Sequence, residues 1–414
     1  MRVNRILKAV GGAVVCFVVL AASLVGYVVI SHRQSIVLPS PMGPYRVGRT
    51  EYDWVDSSRL DPLSDAPGVD RELLIWIWYP TSAAQASQLA SYLPPTWAAA
   101  YQADKGIGAY LERSSSLVRA HSIVDAPISG AEPSYPVLVL QPGMGPAVAD
   151  YTVFAENLAS HGYVVAGINE TDTQNLVEFP DGRVARPSTK GTIPDTADPA
   201  TVEAESNAIG EVWTHDAVFV MNKLAETNAD SSSPFFDKLD LAHIGVFGHS
   251  FGGATAIAVC QSDARCKAGA DLDGTPLSDT LTRQVSQPFL FLSEGYSQPF
   301  PQGCESNKNC QPIYTVYQHV ANNAYFITIN GAKHFNFTDR SYRTLPLTRT
   351  LLLRPMGVVG SIDPGRGLEI SNAYLVGFFD KYLRNVDSKL LDSKPPLGSS
   401  PVYAEVQLDS RGLH

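Results

Sequence analysis

The feature that most constrains this chain is the run Ile244-Gly245-Val246-Phe247 followed at once by Gly248-His249-Ser250-Phe251-Gly252-Gly253. An apolar strand that ends in G-x-S-x-G and continues into the small residues Ala254, Thr255 and Ala256 reads as strand, sharp turn and helix. Such a turn lifts a serine hydroxyl above the end of a sheet. Glycines two residues to either side are needed because side chains there would collide with neighbouring backbone. Ser250 is therefore the candidate nucleophile. The Phe251 N–H, at the start of the helix, would point at a developing oxyanion with the helix dipole behind it.

An elbow of this kind needs a sheet to stand on, and the chain supplies the strands. LLIWIWY at 73–79, VLVLQ after Pro136, YVVAGI at 163–168, AGADLD at 268–273, PFLFL at 288–292 and YFITI at 325–329 are short apolar runs bounded by turn residues. Helical stretches at 151–160, 205–226 and 372–384 fall among them, the last as a closing helix. This alternation predicts a mostly parallel central sheet with helices on both faces, in a body that begins at Gly43-Pro44-Tyr45 and runs to residue 414. Between the strand at 163–168 and the next helix lies a polar, proline-rich insertion, 170–204, which reads equally well as a rim to the ligand site or as a plain surface loop.

A serine hydroxyl attacks only when a base removes its proton, so a histidine must arrive from a later loop. His334 follows YFITI in the loop Asn330-Gly331-Ala332-Lys333-His334 and is the candidate base. His249, inside the elbow, is placed where it could face the pocket; the other histidines are expected in helices, connections or termini. Two carboxylates at strand ends compete to orient His334. Asp273 ends AGADLD and Glu294 follows PFLFLS; the later strand is the usual place for the acid in such sheets, which favours Glu294. Asp271 is expected on the opposite face from Asp273. The second oxyanion donor should come from Pro142-Gly143-Met144-Gly145, where glycines let backbone approach the nucleophile, and the Met144 N–H is the candidate.

Charge and cysteines place the body. From Ala9 to Ile30 no residue is charged, and at about 1.5 Å per residue that helix would cross a hydrocarbon core of about 30 Å. Arg2, Arg5 and Lys8 precede it, so residues 1–32 read as a signal anchor, transmembrane over 9–30, with the catalytic body outside the cytoplasm after a tether at 33–42. A cleaved signal, giving a secreted protein, is the rival. The first acid is Glu51 while Arg2, Arg5, Lys8 and Arg33 all lie in the first 34 residues, so the chain's formal net charge of −10 becomes −14 for the body, which has no electrostatic footprint for nucleic acid. Cys16 is a small hydrophobe within the apolar segment. Cys260 with Cys266, and Cys304 with Cys310, bracket short polar loops and are expected as two local disulfides; their spacing does not suit zinc. Asn169 and Asn336 begin sequons, the second close to His334.

With these residues in hand the chain resembles the plasma-type platelet-activating-factor acetylhydrolase family, serine esterases of the α/β-hydrolase fold that need no calcium. The resemblance runs over most of 43–384. It rests on Gly43-Pro44-Tyr45, the WYP at 78–80, LASHGYVV at 158–165, GHSFGGAT at 248–255, LDG at 272–274 and NGAKHFNF at 330–337. It implies Ser250, Asp273 and His334 as nucleophile, acid and base, Met144 and Phe251 as oxyanion donors, no metal or organic cofactor, and short or oxidised acyl esters of phospholipids as substrates. Thr275 stands where mammalian members carry a large aromatic, so the acyl pocket is expected to differ. A cutinase-like polyester hydrolase shares the elbow, and a non-catalytic binding protein on the same scaffold is the reading from another class.

Overall fold

Side chains that alternate between two apolar environments build one sheet with a core on each face. The computed structural model describes residues 2–83, 88–295, 304, 307, 310–392 and 402–412. Its strands are β1 (Ile36–Val37), β2 (Arg46–Leu60), β3 (Asp70–Thr81), β4 (Leu89–Ser91), β5 (Val118–Val124), β6 (Tyr135–Gln141), β7 (Val164–Asn169), β8 (Val177–Glu178), β9 (Val184–Ala185), β10 (Leu239–His249), β11 (Cys266–Leu272), β12 (Phe289–Glu294), β13 (Ala324–Ile329) and β14 (Val406–Arg411). Longer helices are α1 (Arg2–His32), α2 (Pro95–Lys105), α3 (Thr152–Ser160), α4 (Pro199–Ala229), α5 (Phe251–Ser262), α6 (Gln311–Gln318) and α7 (Pro364–Leu383). The main sheet runs β1-β5-β2-β3-β7-β6-β10-β11-β12-β13-β14 with β4 on β5, while β8 and β9 pair with each other.

From β7 through β6, β10, β11, β12 and β13 every pairing is parallel, as the strand and helix alternation requires. In β10, Phe247 points to the face covered by α3 and α7, whereas Ile244 and Val246 point to the face covered by α4, α5 and α6. Each such side chain, fully buried, contributes about 1.5–3 kcal/mol against the entropy of ordering it. Helices thus cover both faces, and the fold is that of an α/β hydrolase.

Several elements differ from the sequence reading. β2 pairs antiparallel with β3, β3 with β7, and β14 with β13. β2 and β5 went unread because their burial alternates, so neither carries a continuous apolar run. α7 starts at Pro364, where Asp363 accepts a hydrogen bond from the Arg366 N–H at 3.1 Å, and it does not close the chain, since β14 follows. α4 starts at Pro199, with Asp198 Oδ1 accepting from the Ala200 and Thr201 N–H groups at 3.0 and 3.1 Å, so the end of the expected insertion is helical. The segment expected as a tether lies along the body instead: Ile36–Val37 pairs with β5 and Leu38 enters the core, because both find apolar partners at the sheet edge. Both expected disulfides, Cys260–Cys266 and Cys304–Cys310, are formed, and Cys16 is exposed on α1.

Candidate active site

β10 delivers Ser250 to the turn in a conformation that most residues avoid. Its φ is 56° and ψ −121°, a strained region costing on the order of 1–3 kcal/mol unless the surroundings hold it. They do so through the Ser250 N–H, which donates to Leu272 O at 2.9 Å, and the Ala254 N–H, which donates to Ser250 O at 3.1 Å. The glycines are steric necessities: a Cβ at Gly252 would strike the Gln141 and Pro142 carbonyls, and one at Gly248 would strike Gly252 itself. Ser250 Oγ projects above the sheet, 2.9 Å from His334 Nε2.

His334 opens a short 3-10 turn after β13. Asn336 pins that turn, its Oδ1 accepting from the Lys333 N–H at 2.9 Å and the Gly360 N–H at 2.7 Å. Asn336 is thereby buried and engaged, as is Asn169, which accepts from the Val148 N–H, so neither sequon presents its amide to solvent.

Of the two competing carboxylates, Asp273 is the one that reaches the imidazole. Asp273 Oδ2 lies 2.7 Å from His334 Nδ1, and its Oδ1 accepts from the Glu294 N–H at 2.9 Å and the Ser293 hydroxyl at 3.1 Å. Glu294 instead pairs with Lys333 Nζ at 2.8 Å, so its backbone supports Asp273 while its carboxylate sits on the rim. Asp273 lies just past the end of β11 with φ 56°, and its N–H donates to Leu292 O at 2.7 Å. Asp271 does not point away from the site as expected. It is buried beneath the elbow, with Oδ1 accepting from the Gly274 N–H at 2.8 Å, and burial pushes its carboxyl well above the usual carboxylate range. Residues two apart on a strand share a face. What parts Asp271 from Asp273 is the left-handed turn at Asp273, not the strand's alternation.

Ser250, His334 and Asp273 open with Met144 and Phe251 onto one cavity of about 760 Å³. Val202, Glu203 and Asn207 of α4 line one wall, and Thr275 and Leu277 another. The insertion is folded rather than loose. Ser188 donates to Leu63 O at 2.5 Å, Leu176 and Phe179 are buried, and Ile193, like Met144 and Phe251, packs against the cluster of Leu63, Ile209, Val212 and Trp213. Its β8–β9 hairpin stays on the surface, so the segment is part rim and part support. Among the described residues no group of three or more metal-ligating side chains is assembled.

His249 does not face the cavity. It is buried with its ring against that of His334, centroids 4.5 Å apart, between Tyr151 Oη at 2.9 Å and the His334 carbonyl at 3.0 Å. Tyr151 carried no signal in the sequence beyond its place at a helix start. A second buried network went equally unread: Arg71, within β3, donates to Asp216 at 2.7 Å and to Asp61 at 2.9 Å. Next to it Gln141, the last residue before the candidate oxyanion loop, donates to Trp213 O at 2.9 Å and accepts from the Thr255 hydroxyl at 3.0 Å.

The chain is similar to known proteins along most of its length. The family model described as platelet-activating factor acetylhydrolase, isoform II, matches residues 30–179 and 220–396. The platelet-activating factor acetylhydrolase of Cavia porcellus is 24% identical over 363 residues, covering 84% of this chain and 78% of that protein. A probable 1-alkyl-2-acetylglycerophosphocholine esterase of Arthroderma benhamiae is 25% identical over 419 residues, covering 96% and 98%. Among solved structures, a ferulic acid esterase from Streptomyces cinnamoneus superposes with a TM-score of 0.71 at 26% identity, covering 90% of this chain and 98% of that one.

Proposed function

The chain belongs to the platelet-activating factor acetylhydrolase isoform II family, and from that premise we propose that it is a serine carboxylic-ester hydrolase whose acyl-enzyme forms on Ser250. One observation carries the reading: Ser250 Oγ, His334 Nε2, His334 Nδ1 and Asp273 Oδ2 lie in a line of hydrogen bonds, 2.9 and 2.7 Å, at the floor of the cavity. His334 takes the serine proton as the hydroxyl oxygen attacks the ester carbonyl, and Asp273 stabilises the imidazolium. The N–H groups of Phe251 and Met144 receive the negative oxygen of the tetrahedral intermediate. His334 then passes the proton to the leaving alcohol, and water deacylates the serine by the same route reversed.

The preferred substrates are short acyl esters of glycerophospholipids, as the acetyl esters in the relatives' names suggest, and the family resemblance extends them to oxidised acyl chains. A panel of phosphocholine esters of increasing acyl length tests this, with turnover expected to fall as the chain grows. The ferulic acid esterase neighbour supports a second reading, hydrolysis of arylacyl esters, so methyl ferulate belongs in the panel. Turnover of methyl ferulate without turnover of any phosphocholine ester would reverse the order of the two. Release of monomer from a polyester film alone would favour the cutinase-like alternative.

We also assign residues 1–32 to a membrane anchor, with the catalytic body on the extracytoplasmic side. The stretch Val10–His32 is apolar and exposed over most of its length, and Arg2, Arg5 and Lys8 precede it. Its end is fastened to the body: His32 Nδ1 donates to Glu112 O at 2.7 Å, and its ring lies 4.5 Å from that of Tyr110. Beside this exit the turn at 106–111, which packs against α1, exposes Ile107, and the body also exposes Leu351 and Met356. Such an apolar rim suits contact with a bilayer. Membrane fractionation with alkaline extraction should leave the full chain in the pellet. A soluble product whose amino terminus lies beyond residue 30 would show a cleaved signal instead.

A further inference from the structure

The residue before the nucleophile has no part in the proton transfers above, yet it touches the base loop directly and reaches the oxyanion loop through Tyr151. His249 is buried, and its Nε2 faces the backbone carbonyl of His334 at 3.0 Å. A carbonyl only accepts, so Nε2 carries the proton and donates it. Burial, and next the neighbouring His334, hold the His249 imidazole well below its ordinary range, so the ring is neutral and Nδ1 is an acceptor. The Tyr151 hydroxyl, 2.9 Å away, must therefore donate to Nδ1. Its oxygen in turn accepts the Gly143 N–H at 2.8 Å. Every donor direction in the chain Gly143 to Tyr151 to His249 to His334 is thus determined by the acceptor at its end.

The positions of the four residues give the chain its consequence. Gly143 immediately precedes Met144 in the candidate oxyanion loop, His249 immediately precedes Ser250, and His334 is the candidate base. We propose that Tyr151 and His249 are positioning residues that hold the oxyanion loop and the base loop in register with the nucleophile. Without them, Gly143 and the His334 backbone lose this tie to one another, and displacements below 1 Å suffice to slow acyl transfer. The neutral His249 ring also packs on the face of His334 without adding a second positive charge when His334 becomes imidazolium.

This inference rests on Ser250 and His334 as the reacting pair, and the experiment separates the two. Tyr151→Phe keeps the aromatic packing and removes only the hydroxyl. His249→Gln keeps a donor near the Nε2 position and breaks the link to Tyr151. Both are assayed on p-nitrophenyl acetate, with kcat expressed per active site titrated by a fluorophosphonate and folding followed by circular dichroism. We expect each variant to retain one titratable serine, to lose about 10- to 100-fold in kcat and to keep KM within about threefold. The double variant should lose about as much as the more impaired single variant, because both cut the same chain. A kcat per titrated site within twofold of the unsubstituted protein for either variant would overturn the proposal, as would fully additive losses. A merely structural role would lower the melting temperature and leave kcat per site unchanged, which is the same negative result. If Ser250 itself fails to label in the unsubstituted protein, the reaction reading falls and this inference with it.

Discussion

Replacing the Asp273 carboxylate with an amide changes one atom, and the surroundings of that atom dictate the effect. Two donors, the Glu294 N–H and the Ser293 hydroxyl, point at Asp273 Oδ1, so in Asp273→Asn the new amide must keep its oxygen there. Its NH₂ group then faces His334 Nδ1, where the carboxylate Oδ2 stood at 2.7 Å. An NH₂ group only donates. His334 is driven to carry its proton on Nε2, the nitrogen that must accept from Ser250. The lost attraction between carboxylate and imidazolium is worth about 4 kcal/mol at about 4 Å and an effective dielectric near 20. With the His334 side chain 35% exposed, about 2–4 kcal/mol is the fair range, a loss of about 30- to 10³-fold. The wrong tautomer brings the total to about 10⁴. Glu294→Gln, in contrast, breaks a half-exposed pair with Lys333 worth at most about 1 kcal/mol, so kcat should fall less than about fivefold. Both variants are assayed on p-nitrophenyl acetate from pH 5 to 9; a tautomer defect depresses the whole profile, whereas a changed basicity only moves it. An inactive Glu294→Gln beside a near-normal Asp273→Asn would refute the reasoning.

Ser250→Ala should reduce turnover by about 10⁴- to 10⁶-fold with the fold intact, and peptide mapping of the phosphonate-labelled protein should find the adduct on Ser250 alone; a second labelled serine, or residual activity above that range, counts against the assignment. Glu112 is buried, which pushes its carboxyl up, but Arg343, Arg340 and Lys105 outweigh this and hold it at about 2, below its ordinary 4.5. A depressed carboxyl stabilises the folded state fully above pH 4.5 and loses that contribution as the pH falls through about 2, so Glu112 contributes about 3 kcal/mol that Glu112→Gln should remove. Urea midpoints at pH 6 and pH 3 check this: the gap between the two proteins should narrow on acidification, and a constant gap would contradict it. Cys260→Ser with Cys266→Ser should cost no more than about 2–3 kcal/mol because the loop is short, and non-reducing mass mapping of the unsubstituted protein should recover each local pair; scrambled pairings would count against the assignment.

Local chemistry carries its own signature in the chain, and that is why so much of the site was legible. Gly248 and Gly252 are dictated by the clash that a Cβ beside the elbow would cause, a constraint acting within a few residues, so the elbow and its candidate nucleophile Ser250 are legible directly. The parallel strands β6, β7, β12 and β13, and the second half of β10 from Ile244, are buried on both faces and appear as apolar runs. β2 and β5 are half-exposed and look like loops until a neighbour is paired with them. The choice between Asp273 and Glu294 could not be made from spacing, since each ends a strand. It depends on a left-handed turn at Asp273 and on the register of β11 against β12, which brings the Glu294 N–H to the Asp273 carboxylate. The link from Gly143 through Tyr151 and His249 to His334 is further still from the sequence, joining residues as much as 98 positions apart. Short-range steric demands are written in neighbouring residues, whereas a hydrogen bond between distant loops exists only once the sheet has brought their ends together.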